Sequence, residues 1–201
     1  TLKISEGISG FANSAIWLIV GAFLFSRGFI KTGLGKRIAY NLISAFGSSS
    51  LRLAYALALS DLILAPATPS NTARVGGVIM PITTSLAKAF GSEPQNGPRK
   101  IGSFLMQSIY QVNTITSAMF QTSMAGNTLV AALALQSFGI GITWGDWAIA
   151  AIVPGIIALI IMPYFIYKVY PPEIKDAREA QQMIREELKG LGKISFQEWV
   201  M

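Results

Sequence analysis

The chain has 201 residues, 52% of them hydrophobic and only 13% charged, with a mean hydropathy of +0.50 and a net charge of +6. An average soluble domain carries about 25% charged residues, so an ordinary water-facing surface is excluded. Cysteine and histidine are both absent, which removes disulfides, thiolate chemistry, Cys or His metal sites and any Ser–His–Asp triad.

Charge is unevenly placed. Residues 1–170 hold four acids (Glu6, Asp61, Glu93 and Asp146) and the last 31 residues hold the other six. The body therefore reads as membrane-embedded and the tail as water-soluble. Basic residues of the body fall between apolar blocks, as Lys31, Lys36 and Arg37, then Lys88, Arg99 and Lys100, then Lys168. That is the placement of residues flanking membrane spans, not of a nucleic-acid face. The chain lacks an initiator Met and a visible signal peptide, so an internal piece of a longer protein is expected.

Residues 8–26 form a stretch of 19 without charge, close to the ~20 needed to cross a bilayer core. Residues 30–40 read as a basic interfacial connection, and residues 38–46 as a short amphipathic helix near the surface. Two apolar helical arms follow, at 51–64 and 73–90, separated by Ala65-Pro66-Ala67-Thr68-Pro69-Ser70-Asn71-Thr72. Two prolines so close cannot sit inside one regular helix. The first arm has about 14 residues, or ~21 Å at ~1.5 Å per residue, short of the ~30 Å core. A re-entrant hairpin with both mouths on the basic, cytoplasmic side is expected over 51–90.

Residues 101–138 are too long for one crossing and contain the polar run Gln121-Thr122-Ser123-Met124-Ala125-Gly126-Asn127-Thr128. They read as one broken transmembrane helix. The loop 139–146 lacks Lys and Arg and is expected outside, with Trp144 and Trp147 in an interfacial belt. Residues 148–167 cross back, Pro171-Pro172 ends that helix, and 174–191 form a charged amphipathic helix along the cytoplasmic interface. The fold class is thus all-α and polytopic, in segments 1–50, 51–90, 101–138, 144–170 and 171–201.

Irregular backbone at membrane depth is tolerated where protein buries it or a cavity solvates it. A half-helix N-terminus offers free N–H groups and partial positive charge to an anion, while carbonyls and hydroxyls nearby can hold Na⁺. Ser70, Asn71 and Thr72 open the second arm, and Asn127 and Thr128 open the second half of the broken helix. Together they would form a polar, nearly uncharged carboxylate pocket. The plainer alternative is that these residues only glue helices together. Asp61 and Arg74 flank the tip, where charge is costly. They stand either as a brace closing the hairpin or, for Arg74, as a direct anion contact. Paired carboxylates and a Lys at membrane depth are missing, so an enzyme is not expected.

The string from Ala65 to Thr72, continued by Ala73-Arg74-Val75-Gly76-Gly77, resembles the first Ser-Asn-Thr signature of the divalent anion:sodium symporter (DASS) family. It is most similar to the 2-oxoglutarate/malate translocators and the bacterial citrate and tartrate:succinate antiporters. Lys31-Thr32-Gly33-Leu34-Gly35-Lys36-Arg37-Ile38-Ala39 and Tyr170-Pro171-Pro172-Glu173-Ile174-Lys175 resemble the segments bracketing that hairpin. The resemblance implies an elevator-type carrier of di- or tricarboxylates in a bacterial inner membrane or plastid inner envelope, homodimeric when complete. It implies no cofactor, with Na⁺ symport and anion exchange both open. Ser70, Asn71, Thr72, Ala125, Asn127 and Thr128 would contact substrate, and Ser70, Asn71, Ser123 and Gly126 a cation. The family often has prolines around that asparagine where this chain has Ala125-Gly126-Asn127-Thr128. A second, inverted hairpin is expected outside this stretch. Two alternatives remain: a channel whose re-entrant hairpin lines a filter, and a non-transporting structural subunit.

Overall fold

The computed structural model describes residues 3–7, 9–12 and 14–201. Helices account for the regular structure, and among the described residues there is no strand beyond two isolated bridges. A short α1 (Ile4–Gly7) and a 3₁₀ turn (Ser9–Ala12) precede α2 (Ser14–Thr32). The first helix was expected at 8–26; Ile8 lies outside the described residues, and α2 runs on past Arg27 and Lys31. Long basic stems tolerate a helix end near an interface, and Lys31 in the last turn complements the helix dipole. The stop comes at Gly33, whose φ of +82° suits glycine alone.

Helix α3 (Leu34–Phe46) starts immediately afterwards. The connection expected over 30–40 is therefore helix on both sides of one glycine. Tyr40 and Ile43 of α3 enter a core shared with Leu53 and Leu57 of α4 (Ser50–Leu64). Ser49 caps α4 by accepting from the Arg52 N–H.

Past Leu64 the chain tightens into a 3₁₀ turn (Ala65–Ala67) with Pro66 near its start. It then extends through Thr68 and Ser70, both at φ −129°. The helix resumes as α5 (Asn71–Arg74), widens to a π turn (Val75–Ile79) and continues as α6 (Met80–Ala89). Pro81 has no N–H to give the carbonyl of Gly77. The π register, with the Met80 N–H on the Val75 carbonyl, spreads that defect over a wider turn. Ile79 and Leu86 join Leu53 and Leu57 in the common core, so the two arms form a helical hairpin. The first arm is longer than expected. Ser50–Ala67 is an apolar stretch of 18 residues, or roughly 27 Å, a length that suits a full crossing as well as a hairpin arm.

α7 (Gly102–Met119) packs between the two arms and carries Phe104 and Leu105 into the core. It breaks at Phe120, passes a 3₁₀ turn (Gln121–Ser123) and resumes as α8 (Ala125–Phe138). The most apolar element is α9 (Trp144–Val169), with 26 residues at mean hydropathy 2.5 and an outer surface of Ile, Val and Phe. Such a surface suits lipid. Thr143 and Asp146 form a capping box at its start. Gly155 lets α9 meet α7: a Cβ there would lie 2.6 Å from Met119 Cγ, the close approach that small residues permit between membrane helices. Tyr55 of α4 donates its hydroxyl to the Ile160 carbonyl at 2.5 Å, beside the carbonyl that Pro163 deprives of a partner.

The tail returns to the hairpin mouth. The Ser50 N–H bonds the Lys175 carbonyl and the Ala177 N–H bonds that of Ser48. Helix α10 (Arg178–Gly190) lies on α3, where Gln181 and Arg185 both donate to the Ser44 carbonyl. A final turn, α11 (Phe196–Val200), places Glu198 against Arg37.

Candidate functional site

The hairpin tip and the α7–α8 break lie side by side. Thr122 of the break donates its hydroxyl to the Pro66 carbonyl at 2.8 Å and accepts from Trp144 Nε1 at 3.0 Å. At the tip, Ser70 is the N-cap, its Oγ accepting from the Ala73 N–H at 3.2 Å. Asn71 turns its Oδ1 onto the Thr72 N–H at 2.9 Å. Thr72 is exposed, and Ser70 and Asn71 are half-buried.

Arg74, one turn further, is fully buried. Its Nε donates to Asp61 Oδ1 at 2.8 Å. Nη1 donates to the carbonyls of Thr68 and Ser123, both at 3.2 Å. Nη2 donates to Thr116 Oγ1 and Ser117 Oγ, again both at 3.2 Å. A guanidinium has five N–H donors, and all five are used within the chain. Thr116 in turn donates to Asp61 Oδ2, so the carboxylate is held on both oxygens. The cost of burying each charge is met by its partner and by these hydrogen bonds.

On the break, Ser123 is buried and its hydroxyl reaches the Ser117 and Phe120 carbonyls at 2.6 and 2.7 Å. Asn127 Nδ2 donates to the same two carbonyls, at 2.7 and 2.9 Å. These carbonyls end α7, where intrahelical partners run out. Thr128 Oγ1 donates to the Gln121 carbonyl at 3.2 Å. The start of α8 is different: its N-cap, Met124, offers no side-chain cap. Ala125 and Gly126, the first residues of α8, are half-buried.

The structure thus brings the residues of both breaks to one end of the hairpin. Among the described residues, no hydrogen bond joins Ser70, Asn71 or Thr72 directly to Asn127 or Thr128. The link runs instead through Thr122–Pro66 and Arg74–Ser123. Sequence reading missed Thr116 and Ser117, which look like ordinary hydroxyls on an apolar helix. Their spacing of 42 and 43 positions from Arg74 carries no local signal. A groove of about 540 Å³ lined by Thr84, Lys88, Glu93 and Met106 lies at the other end of the second arm.

Residues 1–201 match the family described as sodium:sulfate symporter transmembrane region. A Bacillus subtilis protein provisionally named a malate transporter, YflS, is 58% identical over 193 residues, covering 96% of this chain and 40% of the relative. Spinach chloroplastic dicarboxylate transporter 1 is 48% identical over 202 residues, covering 100% of this chain and 36% of the relative. The L-tartrate/succinate antiporter of Escherichia coli is 39% identical over 197 residues, covering 98% and 40%. The chain spans well under half the length of these curated relatives, whose names are those of transporters and not of enzymes.

Proposed function

Since the chain belongs to the sodium:sulfate symporter transmembrane family (the divalent anion:sodium symporters), we propose that the full protein is a secondary carrier of di- or tricarboxylates. This chain, an integral membrane piece, supplies one half of its binding site. The observation that carries the proposal is the uncapped start of α8 beside the hairpin tip, joined to it by Thr122–Pro66 and Arg74–Ser123. Helix N-termini with unspent amides attract carboxylates, and no charged side chain at the tip is left uncompensated.

In this reading Ser70, Asn71 and Thr72 meet one carboxylate from the hairpin side, and Ala125, Asn127 and Thr128 from the break. Asn71 and Thr72 exchange their present local bonds for substrate. Ser70, Asn71, Ser123 and Gly126 offer neutral hydroxyl, amide and carbonyl oxygens, a donor set that suits Na⁺. The hairpin is re-entrant, opening to the cytoplasm, and it moves against α2 in an elevator step within a homodimer. The names of the relatives include malate, dicarboxylate and tartrate/succinate, which supports the substrate class.

Reconstituted full-length protein tests this. Labelled malate uptake is measured into liposomes with a Na⁺ gradient, then with internal dicarboxylate and no gradient. Uptake driven by either condition supports the carrier, and which one drives it separates symport from exchange. Uptake in neither condition for malate, succinate, 2-oxoglutarate, tartrate and citrate overturns it.

A further inference from the structure

We propose that Arg74 is a positioning residue that locks the hairpin tip and the α7–α8 break into one rigid body, and that it never touches the transported anion. Its anchors are Asp61 on the first arm, the Thr68 carbonyl in the tip, Thr116 and Ser117 at the end of α7, and the Ser123 carbonyl in the break. The effect on transport rests on the carrier reading above; the geometry does not.

Three features converge on this role. First, the donor count is complete: five N–H groups meet five acceptors on four separate pieces of backbone, so an anion could bind only by displacing one of them. Arg is suited to such a hub because its planar fork fixes directions, whereas a Lys ammonium offers three donors from one point. Second, the charge is already neutralised. Asp61 is 2% exposed and accepts from both Arg74 and Thr116, which leaves the pair no net charge for a distant carboxylate. Third, the connections run between the two breaks and not only within the hairpin. The Thr68 and Ser123 carbonyls share one nitrogen, so the tip and the break cannot separate without stretching bonds to the same Nη1. Two helix interruptions that wandered independently would hold no fixed distance between the Ser70 and Ala125 ends. A binding surface built from both requires such a tie, because geometry loose by about 1 Å already weakens a site.

The experiment uses full-length protein in a background free of other cysteines, carrying Ala67→Cys and Gln121→Cys, which flank the Thr122–Pro66 contact. A short bismaleimide reports the separation of tip and break without any substrate. With Arg74 intact, crosslinking is expected to be near complete. Arg74→Gln is expected to reduce its rate by about fivefold or more, Thr116→Val with Ser117→Ala by a comparable amount, and Arg74→Lys to fall between. Pre-crosslinked Arg74→Gln protein is expected to recover malate affinity, because the tether replaces the clamp. Should Arg74→Gln fail to insert, the Thr116→Val/Ser117→Ala protein, which keeps the ion pair, carries the test alone. Unchanged crosslinking in inserted variants overturns the proposal. So does a malate KM that rises in Arg74→Lys while crosslinking stays at the parent rate, the signature of direct anion contact. Loss of the carrier reading would show as absent uptake in the parent protein, with the crosslinking result standing on its own.

Discussion

The guanidinium of Arg37 holds the carboxylate of Glu198 across 161 positions of sequence, with Nε at 2.8 Å from Oε1 and Nη2 at 3.1 Å from Oε2. Nη1 also reaches the Gly192 carbonyl at 2.9 Å. The Arg37 bond is the main cause holding the Glu198 carboxyl at about 2 against an ordinary 4.5, with the Ser195 N–H second. The tail after α10 is therefore fastened to the helix that leads into the hairpin.

That fastening has a pH signature. A depressed carboxylate contributes its stability above its unfolded value and loses it as pH falls through the folded one. Backbone hydrogen exchange over residues 191–200, corrected for intrinsic rates, should stay constant at neutral pH and down to 4.5, then rise as pH falls towards about 2. Glu198→Gln should raise exchange at neutral pH and flatten the profile. A flat profile in the parent protein would show that the contact does not hold the tail.

Asp61 and Arg74 make a stability prediction separate from transport. Removing one partner of a buried pair leaves the other uncompensated, at a cost of about 3–5 kcal/mol. Asp61→Asn should therefore lower the unfolding midpoint in detergent sharply. The double change Asp61→Asn with Arg74→Leu should lose less than Asp61→Asn alone. Equal losses would indicate that the charges are not coupled.

Gly155 sets the spacing between α9 and the end of α7. Gly155→Val would drive side-chain atoms into Met119, and overpacking of this kind costs about 1–3 kcal/mol. Because Met119 immediately precedes the break, malate affinity should fall together with thermal stability. Gly145→Ala, in open surroundings where the nearest atom is 3.7 Å from an added Cβ, is the control and should change little.

The order of the elements was legible because each boundary has a local cause. Pro66 and Pro69 end the first arm, the polar run after Phe120 interrupts the third apolar block, and Pro171-Pro172 follows α9. The closeness of Asp61 and Arg74 was legible too, because two opposite charges within apolar helices need each other. Other features had no local trace. The π turn arises from Pro81 acting on the Gly76–Gly77 backbone several residues earlier, and the 30–40 connection hid a helix because Lys and Arg were read as loop residues. The bonds of the Asn127 and Ser123 side chains to the carbonyls that end α7 have no local signal either. Thr116, Ser117 and Glu198 acquire their partners only through packing between distant helices.

Re-entrance is tested by accessibility. Arg52 and Glu93 are exposed residues at the two mouths of the hairpin. Arg52→Cys and Glu93→Cys should react with an impermeant maleimide from the same side of the membrane, and Gly141→Cys from the other. Labelling of Arg52→Cys and Glu93→Cys from opposite sides would make the two arms a single net crossing, and reaction of Thr72→Cys, at the exposed tip, only from the Gly141 side would make them two full crossings.

The central claim is that the tip at Ser70, Asn71 and Thr72 holds the carboxylate. Its most direct test is malate uptake by full-length Asn71→Ala protein, inserted at parent level, in liposomes where the parent transports. Loss of uptake with intact tip–break crosslinking is the predicted result, since Asn71 is not among the partners of Arg74. Uptake at the parent rate with unchanged malate affinity would contradict the account.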